Sequence, residues 1–300
     1  MQAKEIGNRG IIFTFEPQEC PIGGSTVYLI NGKNTIYLCD THLGSASMEP
    51  IIAYLKQKGL ADKDVLIFFS HSDWDHIWGA GAFPDATVIS HRLCRQRITQ
   101  RSMLELLRYE KHRQGDVKLI LPSVTFQTSI FFEEDQVEFF YTPGHTVDSA
   151  CCRDHMDNTI YVGDLVERPA PTVDWHDVES FIETLENLKA LNAATYVSFH
   201  SGLVETDDFS HNISFLRNYL EGLSRPPRSQ QEELQQKQFT LLMYEDAIRQ
   251  ALGEKFDYGA FQQELWQGLD LDYRLTLTEL LKGVEHEELK TALEAFLVQY

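Results

Sequence analysis

A chain of 300 residues with 43% hydrophobic content can bury a sizeable core, as one large domain or two modest ones. Its formal net charge of −19 argues against a nucleic-acid partner, because a phosphate backbone needs a basic track. No stretch approaches the length of a membrane span and the first residues lead no apolar signal region, which points to a cytoplasmic protein without a membrane partner.

Taken in chain order, Ile11 to Phe15, Ser25 to Ile30 and Thr35 to Cys39 read as strands, with Asn31-Gly32 as a hairpin turn. Met48 to Lys58 reads as a helix that offers Ile51, Ile52 and Leu55 to a sheet. The apolar run Val65 to Ser70 is a buried-strand signal, and it leads straight into His71-Ser72-Asp73-Trp74-Asp75-His76. Along an extended exit His71, Asp73 and Asp75 would point one way, and His76 could swing in from the turn. A histidine beside an aspartate is usually a surface or capping pair. Four such residues in six, at the end of a buried strand, instead suggest donors to one or two divalent ions. Trp74 would face away and pack.

Thr87 to Ser90 is a strand, followed by a helical stretch over 91–113 with seven arginines and lysines against Glu105 and Glu110. The favoured reading is a solvated helix face; the sharper one is a patch near a site mouth for an anionic substrate tail. Three later β-rich runs end like the first. Phe139-Phe140-Tyr141 leads to Gly144-His145, Thr159 to Val162 to Gly163-Asp164, and Thr195 to Phe199 to His200. The recurrence places the donor loops along one edge of a layered sheet. Five cysteines, an odd number, make no disulfide framework, and Cys151-Cys152 read as small apolar strand residues.

The order HxDxDH, GH, GD, H on strand ends resembles the metallo-β-lactamase superfamily over about residues 10 to 212. The resemblance implies an α/β fold, an αββα sandwich with a two-metal site at the sheet edge. It implies that His71, Asp73 and His145 serve one ion, that Asp75, His76 and His200 serve the other, and that Asp164 bridges both. Asp40, after Cys39, would support the site from behind. Two positions depart from the usual pattern. Asp73 stands where HxHxDH has histidine, and Ser198-Phe199 replaces Pro-Gly before His200. An added carboxylate suits iron and manganese, although zinc accepts it.

Phe181, Leu185, Leu188 and Leu191 recur at helical spacing and read as a second sheet-covering helix. Ile213 to Leu223 reads as a short helix, and Arg225-Pro226-Pro227-Arg228 breaks the chain. The expected division is therefore a metallo-β-lactamase-like domain over 1–224 and a helical extension over 225–300. In the extension Ser229 and Glu232 form a capping box. Leu241, Tyr244, Ile248 and Leu252 carry the next helix to Gly253, and two more helices span 276–281 and 285–297. Its role would be to stabilise the sandwich, to cap the site or to build a homodimer, the last two being favoured.

The expected function is hydrolysis of a small-molecule ester, thioester or lactone by a metal-bridging hydroxide. Two divalent ions would be bound, zinc first and iron or manganese next, with Asp75 orienting or accepting a proton. One alternative is a di-iron oxidoreductase handling oxygen or sulfur compounds. Nothing after residue 212 reads as a flavin module, which weighs against its flavodiiron form. The other alternative is a binding protein with a retained metal site. Histidines 42, 91, 112, 155, 211 and 286 have no motif context and read as structural or exposed.

Overall fold

A computed structural model describes residues 1–16 and 24–230, and scattered positions between 232 and 291. The chain forms two compact units, residues 1–173 with 177–216, and residues 174–176 with 217–300.

The first unit contains two sheets. Strands β1 (Gln2–Ile6), β2 (Gly10–Phe15), β3 (Ser25–Asn31), β4 (Thr35–Cys39), β5 (Asp64–Phe69), β6 (Thr87–His91) and β7 (Val124–Phe126) lie side by side in chain order. The first four pair antiparallel and the last four parallel. The other sheet runs in reverse chain order from β13 (Gly202–Val204) through β12 (Thr195–Ser198), β11 (Thr159–Gly163), β10 (Ala150–Asp154) and β9 (Val137–Tyr141) to β8 (Ser129–Phe132). Only β11 and β12 are parallel in it.

Aromatic side chains join the sheets. Phe68 of β5 stacks on Phe139 of β9 at 4.3 Å between ring centroids, and Tyr37 of β4 meets both Phe132 and Phe139 edge-on. Burial of such rings is the largest source of cohesion between the layers. Helix α1 (Ser45–Gln57) buries Met48, Ile51 and Leu55. A one-turn helix α2 (Trp74–Ile77) follows β5, and the long α3 (Arg92–Arg108) follows β6. Helix α4 (Val178–Ala190) buries Phe181, Leu185 and Leu188, and α5 (Thr206–Leu223) buries Phe209, Ile213 and Leu216. This is the expected αββα sandwich.

Several expectations need correction. Leu191 is not core: it is the residue after α4 and is 39% exposed, because the stripe outruns the helix. Helix α1 begins at Ser45, tolerating Pro50 within it. Helix α5 begins seven residues before Ile213, because Thr206, Asp207 and Asp208 supply the acidic first turn that suits a helix N-terminus. The exit from β5 is extended only as far as Asp73; the chain then turns into α2, which carries Asp75 and His76.

In the second unit Ser229 Oγ accepts the Glu232 N–H at 3.2 Å, the expected capping bond. The Glu232 carboxylate does not complete the box; it accepts from the Arg228 N–H and the Arg225 guanidinium. Gly253 has φ +55, which suits its place after Leu252. Leu241, Tyr244, Ile248, His286, the stretch 276–281 and all of 285–297 except Glu287 and Thr291 lie outside the described residues. Among the described residues, no helix is long and apolar enough to cross a membrane.

Candidate metal centre

Parallel strands deliver their C-terminal ends to one rim of the sandwich, the usual place for a site in such sheets. His71 and Asp73 leave β5 there, and α2 adds Asp75 and His76. The loop after β9 brings His145, Asp164 follows directly on β11, and His200 lies just beyond β12. Glycines allow the approach. A Cβ on Gly163, which has φ +53, would lie 2.8 Å from Ser70 Oγ, and one on Gly144 would lie 2.4 Å from the Phe181 ring.

All seven expected donors meet. Asp164 Oδ2 faces the Nε2 atoms of His76 at 3.1 Å, His200 at 3.3 Å, His71 at 3.8 Å and His145 at 3.9 Å. Asp73 Oδ2 lies 3.6 Å from both His71 Nε2 and His145 Nε2. Asp75 Oδ2 lies 3.3 Å from His200 Nε2 and 3.9 Å from His76 Nε2. The result is two groups of three, His71-Asp73-His145 and Asp75-His76-His200, with Asp164 between them.

Each imidazole is aimed by its other nitrogen. Nδ1 of His145 meets the Thr172 carbonyl at 3.1 Å and that of His200 the Gly24 carbonyl at 3.2 Å. A carbonyl only accepts, so both rings carry a proton on Nδ1 and present Nε2 to the centre. His71 Nδ1 meets Ser70 Oγ at 3.0 Å, and His76 Nδ1 meets Asp40 Oδ2 at 2.8 Å. Asp40 supports the site as expected. Fully buried, it also accepts from the Ser70 N–H and hydroxyl and from the Tyr161 hydroxyl at 2.7 Å. Ser70, Tyr161 and Thr172 were not singled out by sequence, since each reads as ordinary strand or loop.

Asp73 occupies the N-cap position of α2 yet makes no capping bond. An aspartate there would normally bind the N–H groups of the first turn. Its carboxylate faces two histidines and Arg101 Nη1, 3.6 Å from Oδ1. The capping explanation therefore fails for this residue. The solvated-face reading of the basic stretch also needs correction. Arg97 and Arg101 are buried on the inner face of α3, Arg97 against Asp148 at 3.0 Å and Arg101 against Glu105 at 2.9 Å. Arg92, Arg95, Arg108, Lys111 and Arg113 are exposed. The spacing of Arg97 and Arg101, one turn apart, was the available signal.

The charges hold one another. Burial disfavours ionisation of Asp73 and Asp164, but His71 and His145 around the first, and His76 and His200 around the second, keep both carboxyls well below the usual range. Burial opposes charge on His145 and His200 too, yet Asp73 and Asp164 raise the former to about 10, and Asp164 with Asp75 raises the latter to about 12. Even so, His71 Nε2, His145 Nε2, Asp73 Oδ1 and Asp164 Oδ1 are buried without a hydrogen-bond partner. Two imidazole nitrogens left without a partner, both facing Asp73 Oδ2 and Asp164 Oδ2, fit a cation.

A family model described as the metallo-beta-lactamase superfamily matches residues 20–200. The chain belongs to the metallo-β-lactamase superfamily. Among solved structures its fold is similar to a metallo-β-lactamase from Pontibacter korlensis, at 20% identity and TM-score 0.59, covering 72% of this chain and 99% of that one. It is similar also to one from Hirschia baltica, at 13% identity and TM-score 0.56, with 72% and 97% covered. A third is FIM-1 from Pseudomonas aeruginosa in its mono-zinc form, at 14% identity and TM-score 0.55, with 72% and 95% covered. No curated protein matches the chain. Where the superfamily pattern has Pro-Gly before the last histidine, this member places Phe199, whose buried ring lies 3.9 Å from that of His76.

Among the described residues, the other histidines without motif context pack against neighbours or lie at the surface. His42 is fully buried and stacks on Phe15 at 4.3 Å, and burial pushes its pKa down to about 4. His91 stacks on Tyr141, His155 pairs with Glu138, and His211 is exposed. Trp78 is buried, and Trp74 is half-buried and stacks on Tyr109 at 4.7 Å. A surface groove of about 280 Å³ lined by Leu55, Asp64 and Phe83 lies at the opposite end of β5 and has no part in the site.

Proposed function

We propose that this protein is a binuclear metal-dependent hydrolase of a small-molecule ester, thioester or lactone. One observation carries the reading: four imidazole Nε2 atoms and the carboxylates of Asp73 and Asp75 surround Asp164, while every Nδ1 is occupied by a partner. His71, Asp73 and His145 would hold one ion, Asp75, His76 and His200 the other, and Asp164 would bridge them. Divalent ions held there lower the pKa of a water and polarise a carbonyl.

The chain's own residues do the rest. Asp40 and the Thr172 and Gly24 carbonyls fix the rings that would bind metal, so little reorganisation is needed when an ion enters. Burial works against charge on Asp75, but His76 and His200 outweigh it and keep its carboxyl below the usual range. It therefore stays ionised at neutral pH and can orient or accept a proton at the reacting centre.

Three carboxylates among seven donors favour a second reading, a di-iron site acting on oxygen or sulfur compounds, because oxygen donors suit iron. Metal analysis of purified protein, combined with a panel of esters, thioesters and lactones, separates the two. The hydrolase reading expects close to two ions per chain and turnover of one substrate class that chelator abolishes and added metal restores. Full hydrolytic activity in a metal-free, chelated sample would overturn it.

A further inference from the structure

Three residues beyond Asp164, Glu167 brings a carboxylate oxygen within 4.8 Å of donor atoms of both Asp164 and His200. No motif marks it. Its position is nevertheless built by the fold. Asn212 of α5, almost wholly buried, accepts the Glu167 N–H at 2.9 Å and donates to the Glu167 carbonyl at 2.8 Å, clamping the peptide on both sides. Glu167 Oε2 accepts the Thr172 N–H at 2.7 Å, and the Thr172 carbonyl is the partner of His145 Nδ1. The next residue, Arg168, is anchored by Ser201 Oγ, beside His200, and by Asp208.

Glu167 is half-buried, and two carboxylates brought this close repel one another unless a cation lies between them. Asp164 Oδ1 sharpens the point, being buried with no hydrogen-bond partner while the neighbouring acid is brought towards its residue. A cation between the two would relieve both the repulsion and the orphaned oxygen. Fixing one carboxylate oxygen by a backbone N–H is also how ligating carboxylates are commonly oriented.

We propose that Glu167 is a further donor to the second metal position, beside Asp75, His76 and His200. The inference rests on the metal-site reading above. It makes the second position richer in oxygen than the superfamily pattern provides, and so better suited to manganese or iron than an imidazole-rich site.

The test is calorimetric titration of the metal-depleted full chain with Mn²⁺ and Zn²⁺, together with the visible spectrum of the Co²⁺-loaded protein. Wild type is compared with Glu167→Gln and Glu167→Ala. Glutamine keeps an oxygen that can accept the Thr172 N–H but loses the charge that binds metal. Expected are two ions in wild type, with the ion of the second position weakened on the order of 100-fold in both variants alike. The manganese affinity should fall more than the zinc affinity, and the cobalt bands should change in both variants. If Glu167→Gln keeps wild-type affinities and spectrum while Glu167→Ala loses them, Glu167 only holds the Thr172 peptide and the proposal is wrong. Unchanged binding in both variants also overturns it. A wild type that takes up no ion would sink the metal-site reading as well, and so is distinguishable from failure of Glu167 alone.

Discussion

The two donor groups have the same number of residues but opposite surroundings. Behind His71-Asp73-His145 stands a cation: Arg101, 3.6 Å from Asp73 Oδ1 and paired with Glu105. Behind Asp75-His76-His200 stand acids: Asp40 against His76, and Glu167 within reach of His200. Once the imidazoles give up their protons to bind a metal, charge on Asp73 is still partly compensated by Arg101, whereas the carboxylates of the second group face only further acids. Equal donor counts therefore do not mean equal affinity. The second position should fill first.

The largest effect is expected from erasing the comparison. Asp164 faces all four histidines, so Asp164→Ala should lower both affinities by at least ~100-fold, and hydrolysis should disappear. Metal content by atomic emission after gel filtration reads this directly, and retention of two ions would contradict the bridging role. His71→Ala, by contrast, should empty mainly the first position.

Next comes the order of filling. With one equivalent of metal, Asp73→Ala should bind like wild type, while Asp75→Ala should bind ~10–100-fold more weakly. Titration calorimetry of both variants checks it; the reverse ranking would mean that the buried cation does not weaken the first position.

Removing that cation tests the same point from the other side. Arg101→Met leaves Glu105 buried without its guanidinium, and breaking such a pair costs about 3 kcal/mol. Urea unfolding should show the loss. The surviving protein should bind the ion of the first position more tightly than wild type, because Asp73 no longer faces a competing charge. A smaller change is expected for Asp73→His, which should keep two ions and move preference towards zinc by about tenfold, as imidazole is the softer donor. Unchanged preference would leave Asp73 outside the donor set.

The pH dependence is the finest probe. Asp73 and Asp164 raise His145 to about 10, and Asp164 with Asp75 raises His200 to about 12, both against the opposing effect of burial. In the metal-free protein these pairs stabilise the fold fully below the unfolded value near 6.5, and that contribution is lost as pH rises through the folded values. A metal needs the neutral rings, so loading must release protons and apparent affinity should rise from about pH 6 to about pH 8. Calorimetry in buffers of different ionisation enthalpy counts the protons. No release would mean that the rings are already neutral in the metal-free state.

The seven candidate donors were legible because ligand chemistry demands particular residue types and strand ends place them in a recognisable order. The longer strands and the inward stripe of α4 were legible for a similar reason: periodicity encodes burial. Short edge strands were not, since β1, β7 and β8 are largely exposed and carry almost no alternation for a pattern to act on. The turn of the chain at Trp74 was missed because a four-residue helix has too little sequence to show a period.

The sequence by itself thus determined the sandwich, the seven candidate donors and the two departures at Asp73 and Ser198-Phe199, all of which depend on residue identity and local order. Tertiary structure decided what stands behind the donors. Arg101 reaches Asp73 only because α3 turns one face inward, and Glu167 approaches Asp164 and His200 in a segment clamped by Asn212, 45 residues away in sequence. Partners so distant along the chain leave no local pattern. Their juxtaposition exists only once both sheets and their helices have packed, and the charge balance of the two positions follows from that packing.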